Sequence, residues 1–351
     1  MENKAFNLNR GWISRWRKLG KFWILGEEKL SGNRDTDTGG GIYNESIGRN
    51  FIQAKNVSFF EGGKDGVSKN DTKSDIDDHI TLVVARFGKA DYRSISEAIK
   101  NAEEGTSILV RPGIYEEGIV INKPLEIIGE GTKDKIIIQS SDSDCILMQT
   151  DYAVVKNLTL WGRAGRKGKN FFGVDIPQGH LILENCDITS DSLSCVAIHG
   201  SSTNPTIKNC HIHDGKDCGV WVYENGEGTI EYCEIFANAK SGVDIKQGAN
   251  PMIKNCHIHD GKACGVSVWK NGEGTIEDCY IFANTHAGVT IEQEGNPLMK
   301  NCKINRNGYE AIWVFNNGKG TVENCDLTNN KRGAWDIDET SQVQRSNNIT
   351  N

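Results

Sequence analysis

Two pairs of histidines are the residues of this sequence whose types and spacing best suit metal chemistry. His211 and His213 form the first pair, and His257 and His259 form the second, 46 residues later. Alternate residues of a β-strand project from the same face, so each pair places two imidazoles side by side, and imidazole is a common zinc ligand. No carboxylate or cysteine is expected on the same face to complete a coordination shell. We therefore predict a surface ladder of side chains and no metal site.

Carboxylates that could work as an acid–base pair are sparse. Asp336 and Asp338 stand two residues apart, about 6.5–7 Å along a strand, and paired glycosidase carboxylates are roughly 5–9.5 Å apart. Asp244 lies 92 residues before Asp336, and Asp175 is a lone carboxylate in its segment. Because two solvated carboxylates are more often surface residues than catalysts, we predict no catalytic residue and no cofactor.

Aromatic residues recur at outward positions of one predicted sheet. Exposed aromatic side chains gathered on one face often mark an interaction site. Interleaved with acidic residues, they suit an extended ligand, either a glycan or a peptide with basic residues. The alternative is that side chains of neighbouring strands stack and only stabilise the fold. The candidate binding residues are Trp221, Tyr223, Trp269, Trp313, Phe315, Asp336 and Asp338.

A basic loop is a second candidate contact surface. It belongs to a lengthened coil over 161–172, and an anion or an acidic partner segment would suit it on an acidic protein. A solvated flexible loop is the alternative. Its basic residues are Arg163, Arg166, Lys167 and Lys169.

A basic, aromatic segment lies near the N-terminus. Its large apolar residues recur at the spacing of one helical face, and basic residues flank them, which predicts a basic amphipathic helix over 1–25. Such a helix docks into a partner's groove, lies on a membrane surface through residues 10–25, or covers the end of the next domain. The docking residues would be Trp12, Trp16, Leu19 and Trp23.

A repeat must position these candidates. A cysteine recurs first after 24 residues and then every 23, and apolar residues follow each cysteine at two, ten and twelve positions. Three short strands in each 23-residue coil, stacked in register, predict an all-β fold: a single-stranded right-handed parallel β-helix of about ten coils. The repeating cysteines are Cys186, Cys210, Cys233, Cys256, Cys279, Cys302 and Cys325.

The cysteines also bear on the compartment. Equivalent residues on adjacent parallel strands lie about 4.8 Å apart, whereas disulfide Cβ atoms lie about 3.8 Å apart. We therefore predict buried, reduced thiols and a cytoplasmic protein. The chain carries 40 Lys and Arg against 47 Asp and Glu. Since nucleic-acid binding needs a basic face, we expect no nucleic-acid partner.

The chain divides into four predicted segments. The basic helix over 1–25 precedes a polar linker over 26–79, which has room for a short strand pair. The β-helix follows over 80–342, and a polar tail occupies 343–351. A capping box at Ser94–Glu97 predicts a short helix over 94–103 that closes the N-terminal end of the β-helix.

The stretch Ile212–Lys216, followed by Gly219–Gly226, resembles the repeats of the CASH/NosD-like right-handed parallel β-helix (PbH1) family. That likeness extends to the β-helix half of F-box-only ubiquitin-ligase adaptors, and Arg86–Gly131 is similar to the opening coil of bacterial pectinesterase-like β-helices. The resemblance covers roughly residues 80–340 and implies the fold. It implies no ligase-adaptor role, because no F-box-like bundle precedes the repeats.

Together these observations predict a non-catalytic β-helix scaffold that binds a protein or a glycan through its aromatic and acidic face. The basic N-terminal helix would tether it to a partner or to a membrane. The alternative is a carbohydrate-active enzyme of the pectin-lyase-like fold, an esterase, lyase or epimerase. The motifs of polygalacturonases and alginate epimerases are absent from the sequence.

Overall fold

A computed structural model describes residues 80–165 and 168–350 of the chain. Three predictions concern residues outside these ranges: the amphipathic helix over 1–25 with its docking residues, the linker over 26–79, and the loop residues Arg166 and Lys167.

The described chain winds through three parallel sheets of 12, 9 and 10 strands, which we call sheets A, B and C. Sheet A contains Thr81–Val84, Ser107–Val110, Glu126–Gly129, Tyr152–Lys156, His180–Glu184, Thr206–Lys208, Thr229–Glu231, Met252–Lys254, Thr275–Glu277, Leu298–Lys300, Lys319–Glu323 and Gln342–Ser346. Sheet B contains Gly113–Glu116, Ile136–Ser140, Thr159–Gly162, Asp187–Ser190, His211–His213, Glu234–Phe236, His257–His259, Tyr280–Phe282 and Lys303–Asn305. Sheet C contains Ile119–Ile121, Ile146–Met148, Val174–Ile176, Val196–His199, Val220–Tyr223, Val243–Lys246, Val266–Trp269, Val289–Glu292, Ile312–Phe315 and Trp335–Ile337.

The alternation of side chains along each strand produces one continuous core. In the strand Val220–Tyr223, for example, Val220 and Val222 are fully buried while Trp221 and Tyr223 face outward. Successive coils pair in register, so Val222 lies beside Ile245 and Ile245 beside Val268. The predicted parallel β-helix is therefore confirmed. All eleven cysteines are free and buried, as expected for a ladder of small apolar residues.

Two features stabilise the turns between the strands of each coil. The residue before each repeating cysteine adopts a left-handed conformation, with φ of 54° at Asn209 and 52° at Asn255. Asparagine tolerates this conformation better than most residues. The second feature is a ladder of buried asparagines inside the turns, whose side chains bond to one another. The Asn284 side-chain amide donates to Asn307 at 3.1 Å, and the Asn307 side-chain amide donates to Asn330 at 2.9 Å.

The N-terminal end of the coil carries the predicted short helix, over Ile95–Asn101. The Ser94 hydroxyl accepts from the Glu97 amide, as in a capping box. The Glu117 carboxylate adds further bonds, because it accepts from the backbone amides of Ile95 and Ser96 at 2.9 Å each. A one-turn helix of the tighter type occurs at Lys133–Lys135.

The C-terminal end extends beyond the predicted boundary at 342. The strand Gln342–Ser346 pairs with Lys319–Glu323, and Ile349 forms a bridge to Asp326. The segment 343–351 was expected to be a polar tail, but its residues through Ile349 continue the last coil, because the backbone of the preceding coil offers hydrogen bonds that do not depend on side-chain type. Within the described residues, no helix has the length and apolar character to span a membrane.

Candidate functional site

On the outward face of sheet A, lysine and glutamate side chains of neighbouring strands pair with one another. Lysine and glutamate alternate in consecutive strands, and Glu184 bonds Lys156 and Lys208 at 3.2 Å each. Glu231 and Lys254 pair at 3.0 Å. Because each coil has neighbours of the opposite charge, the same residue type returns after two coils, which gives a 46-residue repeat, as in Lys208, Lys254 and Lys300. The alternating residues are Lys156, Glu184, Lys208, Glu231, Lys254, Glu277, Lys300 and Glu323.

The outward face of sheet B carries a continuous stack of rings. His213 stacks on Phe236 at 4.7 Å, Phe236 on His259 at 5.5 Å, and His259 on Phe282 at 4.6 Å. The Arg306 guanidinium lies 5.0 Å from the Phe282 ring and closes this end. His213 and His259, one histidine of each pair, therefore form a surface ladder with Phe236 and Phe282.

The prediction that no carboxylate shares the face of the histidine pairs was wrong. Asp187, one coil before His213, accepts from its Nε2 at 3.1 Å, and Asp214 contacts its Nδ1 at 2.8 Å. Glu234 and Asp260 hold His259 in the same way. These carboxylates lie in the neighbouring coil or the adjacent turn, so inspection of one strand misses them. Among the described residues, no group of three or more such side chains could hold a metal ion.

Burial and hydrogen bonding act in opposite directions on His213. Burial alone would lower the pKa of His213, but hydrogen bonds from the ring to Asp187 and Asp214 outweigh it and raise that pKa. For Asp187, burial would raise the pKa, yet the bonds from His211 and His213 hold the pKa of the Asp187 carboxyl well below its usual range. The ladder is therefore cross-linked by charge as well as by ring stacking.

The outward face of sheet C contains the predicted binding residues in two columns. The first column runs through Asp175, Ala197, Trp221, Asp244, Ser267, Thr290, Trp313 and Asp336. The second column runs through His199, Tyr223, Lys246, Trp269, Glu292 and Phe315. The five predicted aromatics thus lie on one sheet, but each is half-buried, since neighbouring side chains cover part of every ring.

Lys246 fills the space between the aromatic residues of the second column. Its ammonium lies 4.2 Å from the Trp221 ring and 5.0 Å from the Trp269 ring, with Tyr223 at 5.8 Å. The Trp269 indole donates to Asp244 at 2.9 Å. Burial lowers the pKa of Lys246 and raises that of Asp244. Burial thus disfavours the charge of the Lys246 ammonium, whereas the ring faces and the Asp244 carboxylate favour it.

The N-terminal end of sheet C holds an acid–base cluster that the sequence reasoning missed. His199 Nε2 lies 2.9 Å from Asp175, and its Nδ1 lies 3.9 Å from Glu224. The imidazole stacks on Tyr223 at 4.7 Å. The hydrogen bond to Asp175 is the main reason that the pKa of His199 is raised. Asp175 was expected to be a lone carboxylate; His199, 24 residues later, becomes its partner only when the coils stack.

Two further groups complete this cluster. Asp144 accepts from the Phe172 amide at 2.7 Å, and burial raises the pKa of Asp144, helped by the charge of Asp175. Burial, together with the nearby carboxylates, raises the pKa of Tyr223 to about 12, so its phenol stays protonated. The Phe172 ring lies 6.1 Å from Trp221.

The C-terminal end of sheet C is more open. Trp313 lies 4.5 Å from Phe315, and each has no other ring or cation contact in the described part of the chain. Asp336 is exposed in the next coil. Asp338 is used in a turn, because it accepts from the Asn316 amide at 2.8 Å, a bond that lowers its pKa to about 2. Asp338 therefore stabilises a turn, whereas Asp336 is exposed to solvent.

The predicted basic loop is only partly described. Arg163 lies over the Trp161 ring at 4.4 Å and 3.9 Å from Asp191, so its charge is used within the fold. Lys169 is exposed.

Comparison with known proteins fits this architecture. The family model described as "Right handed beta helix region" matches residues 115–227, 144–272 and 194–350. The chain belongs to this family of right-handed β-helix proteins. The β-helix alone does not specify an activity, because function on a shared fold depends on the residues of a particular site.

The similar proteins are distant. An Arabidopsis thaliana protein named as a pectinesterase/pectinesterase inhibitor is 26% identical over 213 residues, which are 54% of this chain and 44% of that protein. The alginate lyase of Paenibacillus sp. str. FPU-7 superposes with a TM-score of 0.54 at 11% identity, over 76% of this chain and 98% of that one. ORF18 of Geobacillus virus E2 has a TM-score of 0.54 at 12% identity, covering 72% and 56%. The structures share the fold alone, and the chain spans less than half the length of the Arabidopsis relative.

Proposed function

We propose that the chain is a binding module whose outward sheet C face holds an extended basic segment of a protein partner. The observation that carries this proposal is Lys246, whose ammonium already lies among Trp221, Tyr223 and Trp269. A face that accommodates a primary ammonium of its own chain has the chemistry to accommodate one from a partner. Parallel coils at about 4.8 Å spacing also suit a ligand that runs along the column.

The charge of the face and the covering of its rings favour a basic peptide over a glycan. Asp144, Asp175 and Glu224 surround one imidazole at the N-terminal end, and Glu292 and Asp336 follow toward the C-terminus. Tyr223 has His199 on one side and Trp221 on another, at 4.7 and 4.3 Å. A sugar ring needs an uncovered aromatic face, which Tyr223 lacks. At the more open Trp313–Phe315 pair, the neighbouring carboxylates Glu292 and Asp336 favour a cation.

The test uses the full chain and a fluorescent nine-residue peptide of alternating glycine and lysine, with a glutamine version as the control. We expect binding that weakens about tenfold or more when salt screens the charges, and no binding of the glutamine peptide. Trp313→Ala should weaken it, whereas Tyr280→Ala on sheet B, a matched aromatic variant, should not. Binding of cellohexaose without binding of the lysine peptide would overturn the proposal in favour of a glycan ligand.

A second candidate function is catalysis on carbohydrate esters, favoured by the His199–Asp175 pair and by the relative named as a pectinesterase. A histidine oriented through one nitrogen can act as a general base through the other. His199→Asn would then abolish release of methanol from methyl-esterified pectin. In the wild type, the rate of release would fall as His199 becomes protonated. Absence of methanol release by the wild-type chain would exclude this candidate.

A further inference from the structure

The second column of sheet C contains two equivalent gaps. The 46-residue repeat places Tyr223, Trp269 and Phe315 at the same position in alternate coils. The first gap lies between Tyr223 and Trp269, and the second lies between Trp269 and Phe315. Each gap spans two strand spacings, about 9.6 Å, with one coil between its walls.

The two gaps differ in the residue between their walls. Lys246 occupies the first gap and Glu292 occupies the second. Trp269 is one wall of both gaps. The other wall is a pair of rings in each: Trp221 lies 4.3 Å from Tyr223 before the first gap, and Trp313 lies 4.5 Å from Phe315 after the second. The first gap therefore contains its own cation, whereas the second presents a carboxylate at the equivalent position.

One cation of the chain, Lys270, lies beside the second gap without forming an ion pair with Glu292. Lys270 lies 4.4 Å from the Trp269 ring and is exposed, and no ion pair within 4 Å joins it to Glu292 in the described part of the chain. Burial raises the pKa of Glu292, and the charge of Lys270 opposes that effect only in part. Asp336 lies one coil beyond Trp313 and adds a second negative charge near that wall.

We propose that the second gap binds the ammonium of a lysine side chain from a protein partner, as the first gap holds Lys246. This inference rests on the proposed function and assigns its central contact. The ammonium would lie beside Trp269 and the Trp313–Phe315 pair, with Glu292 as its counter-ion. The repeat supplies the argument, because a gap between Trp269 and a pair of rings already accommodates an ammonium one repeat earlier, with the ring pair on the opposite side.

A reciprocal exchange of the two charges tests the inference. The probe is an acetylated, amidated pentapeptide with one lysine among four glycines, titrated into the full chain with ¹⁵N-labelled tryptophan. In the wild type we expect the indole signals of Trp269 and Trp313 to shift. Glu292→Lys should fill the second gap and weaken binding at least tenfold. Lys246→Glu should open the first gap, so that the Trp221 signal also shifts and the stoichiometry rises from one to two.

Two controls keep these outcomes interpretable. Glu277→Lys on sheet A adds the same charge outside the face and should leave binding unchanged, and thermal unfolding reports whether each variant folds. Equal binding by wild type and Glu292→Lys would overturn the inference, as would an unchanged stoichiometry in a folded Lys246→Glu variant. If the nine-residue lysine peptide binds and is weakened by Trp313→Ala, but Glu292→Lys binds it as tightly as the wild type, the proposed function stands and this site is wrong. If neither peptide binds, both are wrong.

Discussion

Sheets B and C are built from the same 23-residue coil, yet their aromatic side chains follow different periods. On sheet B a ring occupies each of four consecutive coils, and each ring stacks on the next at 4.6–5.5 Å. On sheet C the second column begins with the stacked rings of His199 and Tyr223 and then carries a ring in every second coil, with Lys246 and Glu292 between. The first arrangement uses the ring faces within the fold, and the second leaves gaps between them.

The difference suggests how a uniform solenoid separates structural from binding faces. Ring stacking at every coil fills the space between neighbouring side chains, so the rings of sheet B contribute to the stability of the β-helix. A period of two coils sets the rings about 9.6 Å apart, which is wide enough for a side chain to enter. On sheet C that side chain is Lys246 in one gap and, in our proposal, a partner's lysine in the other.

The comparison predicts its largest effect for loss of a central ring. Phe236→Ala removes the ring that stacks on both His213 and His259, and it should reduce the free energy of unfolding by about 2 kcal/mol. Phe315→Ala removes a ring that contacts only one other ring, Trp313, in the described part of the chain. It should reduce the free energy of unfolding by less than about 1 kcal/mol. Urea unfolding of both variants measures the difference. Equal losses would show that the two columns do not differ in structural role.

The next largest effect should be the pH dependence of stability that His213 on sheet B produces. The folded pKa of His213 is raised, so its contribution is fully present below the unfolded value of about 6.5 and is lost as pH rises through the folded pKa. His213→Phe keeps a ring in the stack without the titration. We expect the wild type to lose stability between about pH 6 and 8 and the variant to lose less. Parallel pH profiles of the two proteins would contradict this.

Removal of the cation from sheet C should have a smaller effect. Lys246→Met keeps the aliphatic packing and removes the ammonium from between Trp221 and Trp269, at a cost of about 0.5–1 kcal/mol. The same variant should change the tryptophan fluorescence of the folded chain. A loss as large as that of Phe236→Ala would mean that Lys246 is a structural element equal to the sheet B stack.

Sheet A should show the smallest effect. Glu184→Gln leaves Lys156 and Lys208 without their carboxylate, but both pairs are partly solvated, so we expect a loss below about 0.5 kcal/mol that shrinks in high salt. Urea unfolding at low and high ionic strength measures it. A larger, salt-independent loss would show that the charge ladder acts as more than a set of surface ion pairs.

Much of the fold could be predicted from the repeat because burial alternates along each strand. The positions of Val220, Val222 and their equivalents two coils away follow from the spacing after each cysteine. The placement of Trp221, Trp269 and Trp313 on one sheet follows from the same counting. The end of the β-helix did not, since the strand Gln342–Ser346 lacks the apolar pattern and is held by backbone hydrogen bonds to the preceding coil.

The sequence by itself determined the period, the core and which side chains share a face, because these depend only on residue spacing and on the hydrophobic effect. Only the tertiary structure decided the contacts between coils: His199 with Asp175, His213 with Asp187, and Lys246 between two tryptophans. Each joins residues about one coil apart in the chain, and depends on how a long side chain bends toward its neighbour. Stacking therefore converts a repetitive sequence into faces with different chemistry.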